Sequence, residues 1–461
     1  MYDYIIVGSG ASGSVIARKL TEAGARCVML EAGKHFTADT FPDDELGGNV
    51  DLYWNGGIEL NTDANLAFLR AKCVGGTTIV NQCLLDRFDD LAWSDWKAES
   101  DVSFFTPDQM APHYEAVGRH LSIKTLPENL RNGNARAMVR GFEKLGLRYA
   151  PMERGQTDCN TGAGNDCIAC LNGCRLDSKQ SMLVTFLREA LAAGLELRPE
   201  FQVDTILAPG GLIRVRGVGP AGPEEITGRR LVLAAGVFGN VQILLRSGFG
   251  EKLPAIGAGF SSHPQSMHFG LFREPVDAHK GSFQTVKSKD PGIRVRGFKL
   301  ENVFAGPIAL AMLVPGLGAE HQQMMRRYRH MACMEVAVRD ENNGKVRINS
   351  KGRVRVEKRL TRQDQARAAD GEQLIDDIMR AAGAYDVLHT RFWFGVHLMG
   401  GCAIGRDPRR SVVNEGFSLH TQRNIYIADS SAFVNAPGIN PSLTIMAISH
   451  RAAETMLKEA S

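Results

Sequence analysis

Tyr2-Asp-Tyr-Ile-Ile-Val-Gly8-Ser-Gly10-Ala-Ser-Gly13 opens the chain, followed by a helical pattern from Ser14 to Ala23 and by Arg26-Cys-Val-Met-Leu-Glu31. An apolar run, Gly-x-Gly-x-x-Gly, an amphipathic segment and a second apolar run ending in an acid form, in that order, a strand-turn-helix-strand dinucleotide-binding unit. The glycines let the backbone close on a pyrophosphate at the helix N-terminus, and Glu31 is placed to accept hydrogen bonds from a ribose. A glycine-rich turn alone is common; the complete order makes the reading specific.

Working outward, 461 residues exceed the size at which one core stops growing, so two domains are expected. Hydrophobic residues at 44% and charged residues at 23% are ordinary for a globular chain. With 54 basic against 51 acidic residues and a net charge of +3, nothing points to nucleic acid. The short basic tracts at Arg326 to Arg329 and Arg353 to Arg359 read as solvated surface. The first strand begins almost at Met1 and no apolar run reaches spanning length, so neither a secretion signal nor a transmembrane segment is read and a cytoplasmic location is the default.

Next in the chain, Arg70-Ala-Lys-Cys-Val-Gly75-Gly76-Thr77-Thr78-Ile-Val-Asn81 suggests a backbone bending sharply, a second contact to the same extended cofactor. Helical patterns such as Ala135 to Leu145 precede Cys159-x7-Cys167-x2-Cys170-x3-Cys174, where thiolates this close can hold an iron-sulfur cluster or zinc, pair as disulfides, or stay unlinked. Ser181 to Ala193 reads as a helix, and Arg230-Leu-Val-Leu-Ala-Ala-Gly236 as another strand feeding a turn, with helix from Val241 to Ser247. Residues 254–390 change in texture: strand-like runs, the turn Glu341-Asn-Asn-Gly344, alternation from Lys345 to Val356 that predicts antiparallel strands, and a helix from Gln363 to Ala382. A strand Asn424 to Asp429 and a helix Pro441 to Leu457 then return to the first domain.

Between them lie Phe394-Gly-Val-His397-Leu-Met-Gly-Gly-Cys-Ala-Ile-Gly405 and Gly438-Ile-Asn440-Pro-Ser-Leu-Thr444. A lone histidine in so apolar a run is either a satisfied core residue or a general base facing a cofactor. The nucleotide-binding unit at the other end of the chain favours the second.

Four separated motifs, in order, give the chain its resemblance to the glucose-methanol-choline (GMC) oxidoreductase family of flavoproteins. They are Gly8 to Gly13 with Glu31, Val74 to Asn81, His397 to Gly405, and Asn424 to Asp429 running into Asn440-Pro441. The resemblance implies noncovalent FAD, held by Gly8, Gly10, Ser12, Gly13 and Glu31, by Gly75, Gly76, Thr77 and Asn81, and by Val203, Asp429 and Pro441. It implies His397 and Asn440 as the catalytic pair, as in the branches that carry Asn in place of a second His. His397 is expected to be the general base while hydride leaves a CH–OH carbon for the flavin, and the Asn440 amide to donate to the substrate oxygen. Partners are then a small-molecule alcohol and an electron acceptor, a quinone or electron-transfer protein among them. A redox-neutral lyase or a non-catalytic flavoprotein subunit is the alternative. Cys167-x2-Cys170-x3-Cys174 resembles the cysteine segment of long-chain alcohol oxidases and, with different spacing, that of cluster-binding dehydrogenase subunits; Ser262-His263-Pro264 replaces an Asp-His-Pro, leaving the role of His263 open.

The expected architecture is α/β, a Rossmann-like FAD-binding domain with a second α+β substrate domain built on an antiparallel sheet. The boundaries expected are 1–96, 176–253 and 391–461 for the FAD-binding domain, 97–175 for a cap with the cysteine segment, and 254–390 for the substrate domain.

Overall fold

The first strand, Tyr2–Val7, is buried along its apolar half, as a strand covered on both faces must be. It pairs in parallel with Cys27–Leu30 on one side and Gly222–Leu233 on the other. Glu196–Arg198 and Gln422–Ile427 extend this parallel sheet in opposite directions. The helices Ala11–Glu22 and Ser442–Ala460 pack against each other beside it, burying Val15, Ile16, Leu20, Ala447 and Ala452 in one core with the strands. Because the strands run the same way, Gly8, Glu31, Ala234 and Asp429 all emerge at one edge, the carboxyl edge where such sheets bind ligands. The computed structural model describes residues 1–160, 166–390 and 392–460.

The second domain is a mostly antiparallel sheet centred on Pro264–Leu271 and Met331–Val338, both buried along their whole length. Phe298–Asn302 pairs with the latter and Trp393–Gly395 with the former. Alternation of side chains splits the sheet into two chemically different faces. Phe298, Leu300, Met334, Val336 and Val338 face Met138, Phe142, Ile375 and Ile378 of the helices Gly133–Lys144 and Arg362–Ala381. The register places Met267, Glu335 and Glu301 side by side on the opposite face, toward the nucleotide-binding domain. The long helix starts at a capping box, Thr361 with Asp364, which satisfies donors that a helix N-terminus leaves open.

The structure therefore has the expected fold class, with differences in detail. Ser181 to Ala193 is not one helix: Met182 N–H donates to Thr78 Oγ1 at 3.0 Å and Thr185 has φ −124°, ψ −109°, so the α-helix is shortened to Phe186–Ala192. The alternation after Lys345 becomes the hairpin Gly344–Ile348 with Val354–Glu357, joined to Ala258–Phe260 in a small separate sheet. Leu66–Phe68 and Trp393–Gly395 pair with each other in the second sheet, so the two domains interleave in sequence. Among the described residues no helix is long and apolar enough to cross a membrane.

Candidate active site

At the carboxyl edge the chain turns through Gly8, whose φ is 100° and where a Cβ would stand 2.3 Å from Ala234 O. A Cβ on Gly13 would stand 2.0 Å from Gly8 O, so the helix meets the strand only because both positions lack side chains. Gly13→Ala should therefore lower flavin retention and cost about 1–3 kcal/mol of stability, as overpacking does; flavin content after gel filtration and thermal unfolding measure both. Glu31 holds the turn from behind. Its Oε2 accepts from Ser9 N–H at 3.0 Å and Ser9 Oγ–H at 2.8 Å, and its Oε1 from Gly33 N–H at 2.9 Å. Ser9 Oγ in turn accepts Gly75 N–H at 2.9 Å, which ties the second glycine motif to the first.

The helix Ala11–Glu22 has no side-chain cap on its N-terminus, and Ser12 Oγ is buried without a hydrogen-bond partner. Open amide donors, an orphaned hydroxyl and a wall of glycine are what a pyrophosphate requires. The fit to FAD is thus carried by this chain's own geometry. Gly8, Gly10, Ser12, Glu31, Gly76 and Thr77 line a single cavity of about 530 Å³, and Asn81, Val203, Asp429 and Pro441 line it further along. Gly13 and Gly75 stand behind that wall. Asp429 is not a free acceptor: it takes hydrogen bonds from Gly236 N–H at 2.8 Å, Asn240 Nδ2 at 2.9 Å and Ser431 N–H at 2.9 Å.

The same cavity reaches His397 and Asn440. Burial, and then the Lys299 ammonium, hold the His397 imidazole down at about 3, so the ring is neutral at any ordinary working pH. Its Nδ1 lies 3.2 Å from His263 Nδ1. The Asn440 amide is arranged differently from the expectation. Its Nδ2 donates to Asp86 Oδ2 at 3.3 Å and Glu301 Oε1 at 3.1 Å, so both N–H bonds are engaged by carboxylates and its oxygen is the group left to a ligand.

Beneath Asn440 lies a buried charge cluster that sequence reading did not assemble. Lys299 Nζ is 3.0 Å from Asp86 Oδ2 and also pairs with Glu301, while Lys287 pairs with Asp86. Burial would raise Asp86, but Lys299 and Lys287 overrule it and bring the carboxyl to about 2. Two ammonium groups thus balance Asp86 and Glu301. No ion pair reaches Glu335 among the described residues, and burial, with Glu301 beside it, pushes its carboxyl up to about 8. Glu301 and Glu335 both line the cavity, as do Gln265 and Gln284. The signal available in the sequence was an acid inside an apolar run, as in Met334-Glu335-Val336.

The cysteines lie elsewhere and do not form one four-ligand set. All four are thiols: Cys159 is hydrogen-bonded to Cys167, and Cys170 to Cys174, as two pairs. No three of these sulfurs lie within 4.8 Å of one another among the described residues. The 3₁₀ turn Cys167–Asn172 carries one member of each pair, Cys167 and Cys170, and the pairs have different surroundings: Cys167 Sγ faces Ser282 Oγ at 3.1 Å, whereas Cys174 Sγ accepts Lys179 N–H at 3.4 Å. The trio that does gather is His113, His450 and Glu454, away from the cavity. There Arg451 donates to His113 Nε2 at 3.3 Å and Lys19 pairs with Glu454 at 3.4 Å, two cations unfavourable to a metal ion.

Sequence models of the two halves of one family, each described as GMC oxidoreductase, match residues 2–265 and 323–449. The chain belongs to the GMC oxidoreductase family. Within that family it is 27% identical to an uncharacterized GMC-type oxidoreductase of Sinorhizobium fredii, over 100% of this chain and 95% of that one. It is 25% identical to a long-chain-alcohol oxidase of Arabidopsis thaliana, covering 97% of this chain and 66% of that one. Among solved structures, the pyridoxine 4-oxidase from Mesorbium loti superposes with a TM-score of 0.75 at 17% identity, over 99% of both chains, which establishes the shared GMC fold.

Proposed function

We propose that this GMC family member oxidises a CH–OH group to a carbonyl, with FAD held along the glycine-lined end of the cavity. The observation that carries the reading is that one cavity joins the uncapped helix N-terminus to His397 and Asn440, which come from distant parts of the chain. FAD bound there would supply the two-electron acceptor. The long-chain-alcohol oxidase relative supports an alcohol donor. Phe283, Phe304, Leu313 and Phe394 make part of the wall apolar, which favours an alcohol with an apolar body.

A substrate hydroxyl between the two residues would meet a ring nitrogen of His397 and Asn440 Oδ1, whose amide hydrogens are already taken by Asp86 and Glu301. The amide oxygen can orient the hydroxyl by accepting a hydrogen bond in the resting complex, but that hydrogen must turn to an ionisable base as hydride leaves, because an amide oxygen does not take the proton. Losing one neutral hydrogen bond costs about 0.5–1.5 kcal/mol, so Asn440→Ala should slow turnover by up to about tenfold, measured by stopped-flow reduction. Two groups compete to take the hydroxyl proton. His397 is neutral, but a ring held at about 3 is a weak proton acceptor. Glu335 has a carboxyl that burial raises to about 8 in the same wall, which matches a base working at mildly alkaline pH. The position of the hydrogen on His397 separates these readings.

The deciding experiment is the visible spectrum of anaerobically purified protein before and after a panel of alcohols, then after air. Bleaching of the flavin bands by one class supports the redox reading and names the substrate; rapid recolouring in air means an oxidase, slow recolouring another acceptor. A flavin that dithionite bleaches and no alcohol does would sink the redox reading and move the lyase or non-catalytic subunit ahead.

A further inference from the structure

His263 sits in a conformation that needs an explanation. Its φ is 44°, in the left-handed region that disfavours side chains, and it precedes Pro264, which disfavours helical backbone further. Two amides hold it there, Ser262 N–H at 3.4 Å and His263 N–H at 3.2 Å from Asp340 Oδ1. Asp340 is fixed by a fully buried ion pair with Lys358 at 2.7 Å. Strain supported in this way is commonly found where a side chain must point in one direction.

The direction it serves is between the two catalytic segments. His263 Nε2 accepts the Gly438 N–H at 2.8 Å, two residues before Asn440, and its Nδ1 meets His397 Nδ1 at 3.2 Å with the rings nearly perpendicular, at 83°. A backbone N–H can only donate, so His263 Nε2 carries no hydrogen. The buried ring is neutral, because burial first and then His397 hold it well below its ordinary range. Its one hydrogen is therefore on Nδ1, pointing at His397. Two facing ring nitrogens share one hydrogen, so His397 Nδ1 is the acceptor and the His397 hydrogen is on Nε2, the nitrogen left to the cavity.

We infer that His263 is a positioning residue that locks His397 in the Nε2–H tautomer, so that His397 meets the substrate oxygen as a hydrogen-bond donor and not as the base. This rests on the reading that His397 faces the substrate; it then leaves the hydroxyl proton to the Glu301–Glu335 pair.

The test is the nitrogen-15 NMR spectrum of the histidine-labelled holoprotein without substrate, with His397 assigned by comparison with His397→Ala. Wild type should show a protonated, pyrrole-type Nε2 and an unprotonated, pyridine-type Nδ1 at His397. In His263→Gln the amide oxygen can accept Gly438 N–H while the NH₂ donates to His397, so the tautomer should persist and flavin reduction stay within about tenfold. In His263→Glu, read at a pH high enough to ionise the buried carboxyl, the carboxylate can only accept, so the His397 hydrogen should move to Nδ1 and reduction fall by about 10²–10³-fold, the loss of a positioned donor. A wild-type spectrum with the hydrogen on Nδ1 overturns the inference, and so does one tautomer common to the Gln and Glu variants. If the Glu variant does not fold, the wild-type spectrum decides alone. The spectrum needs no turnover, so an inactive substrate panel with an Nε2–H His397 would refute the proposed function while leaving the tautomer lock standing.

Discussion

Replacing His397 with alanine should slow flavin reduction by alcohol about 10²–10⁴-fold while FAD stays bound. A lost proton-transfer partner spans that range, and a lost donor to a developing oxyanion falls in its lower part, about 10²–10³. Retention of FAD follows from where the holding groups are. The turn at Gly8 is closed by Ser9, Glu31 and Gly75, none of which bonds to His397. The histidine is tied instead to His263, and through it to Gly438. Removing the ring thus empties the substrate end of the cavity and leaves the nucleotide end as it was. Single-turnover reduction under anaerobic conditions, with flavin content read from the same spectra, measures both quantities. Wild-type reduction rates in the variant would return His397 to the core residues, and loss of FAD would show that its role is structural.

How much of this could be read from the chain depends on the range of the interaction concerned. The unit from Tyr2 to Glu31 was legible because its constraints are local: a strand, a turn that a Cβ would block, a helix and an acid follow one another within one unit. The acid's partner Ser9 lay at an unspecified position of the motif, so its part in binding the two glycine turns together was not. His397 and Asn440 were found as sequence motifs, yet the direction of the Asn440 amide was not, since Asp86 and Glu301 reach it from other elements. The tautomer of His397 is set by a backbone N–H at Gly438 acting through His263, a relation with no sequence pattern at all. Four closely spaced cysteines left a cluster, zinc, disulfides and unlinked thiols open, because spacing along the chain does not say which sulfurs meet; the fold brings Cys159 to Cys167 and Cys170 to Cys174.

Glu335 should give the site its dependence on pH. Its carboxyl stands at about 8 against an ordinary 4.5, because it is buried and because Glu301 lies directly across from it on the neighbouring strand. Between those two values the folded protein holds a proton there that the unfolded chain has released. Stability from this group is therefore complete below about 4.5 and is lost as the pH rises through about 8. Glu335→Gln keeps the shape and a hydrogen for Glu301 but cannot ionise, so the holoprotein's melting temperature should fall less steeply over that interval than in wild type. The kinetic consequence has the same origin. A base must be ionised to accept the hydroxyl proton, so wild-type flavin reduction should rise with pH and level off above about 8. In the variant that rising limb should vanish, with the rate at alkaline pH lower by about 10²–10⁴-fold. An unchanged limb in Glu335→Gln would assign the proton to another group, and together with an Nδ1–H tautomer at His397 it would hand the base back to the histidine. The melting curves remain informative in either case, since the cost of ionising a carboxyl opposite Glu301 does not depend on which group takes the substrate's proton.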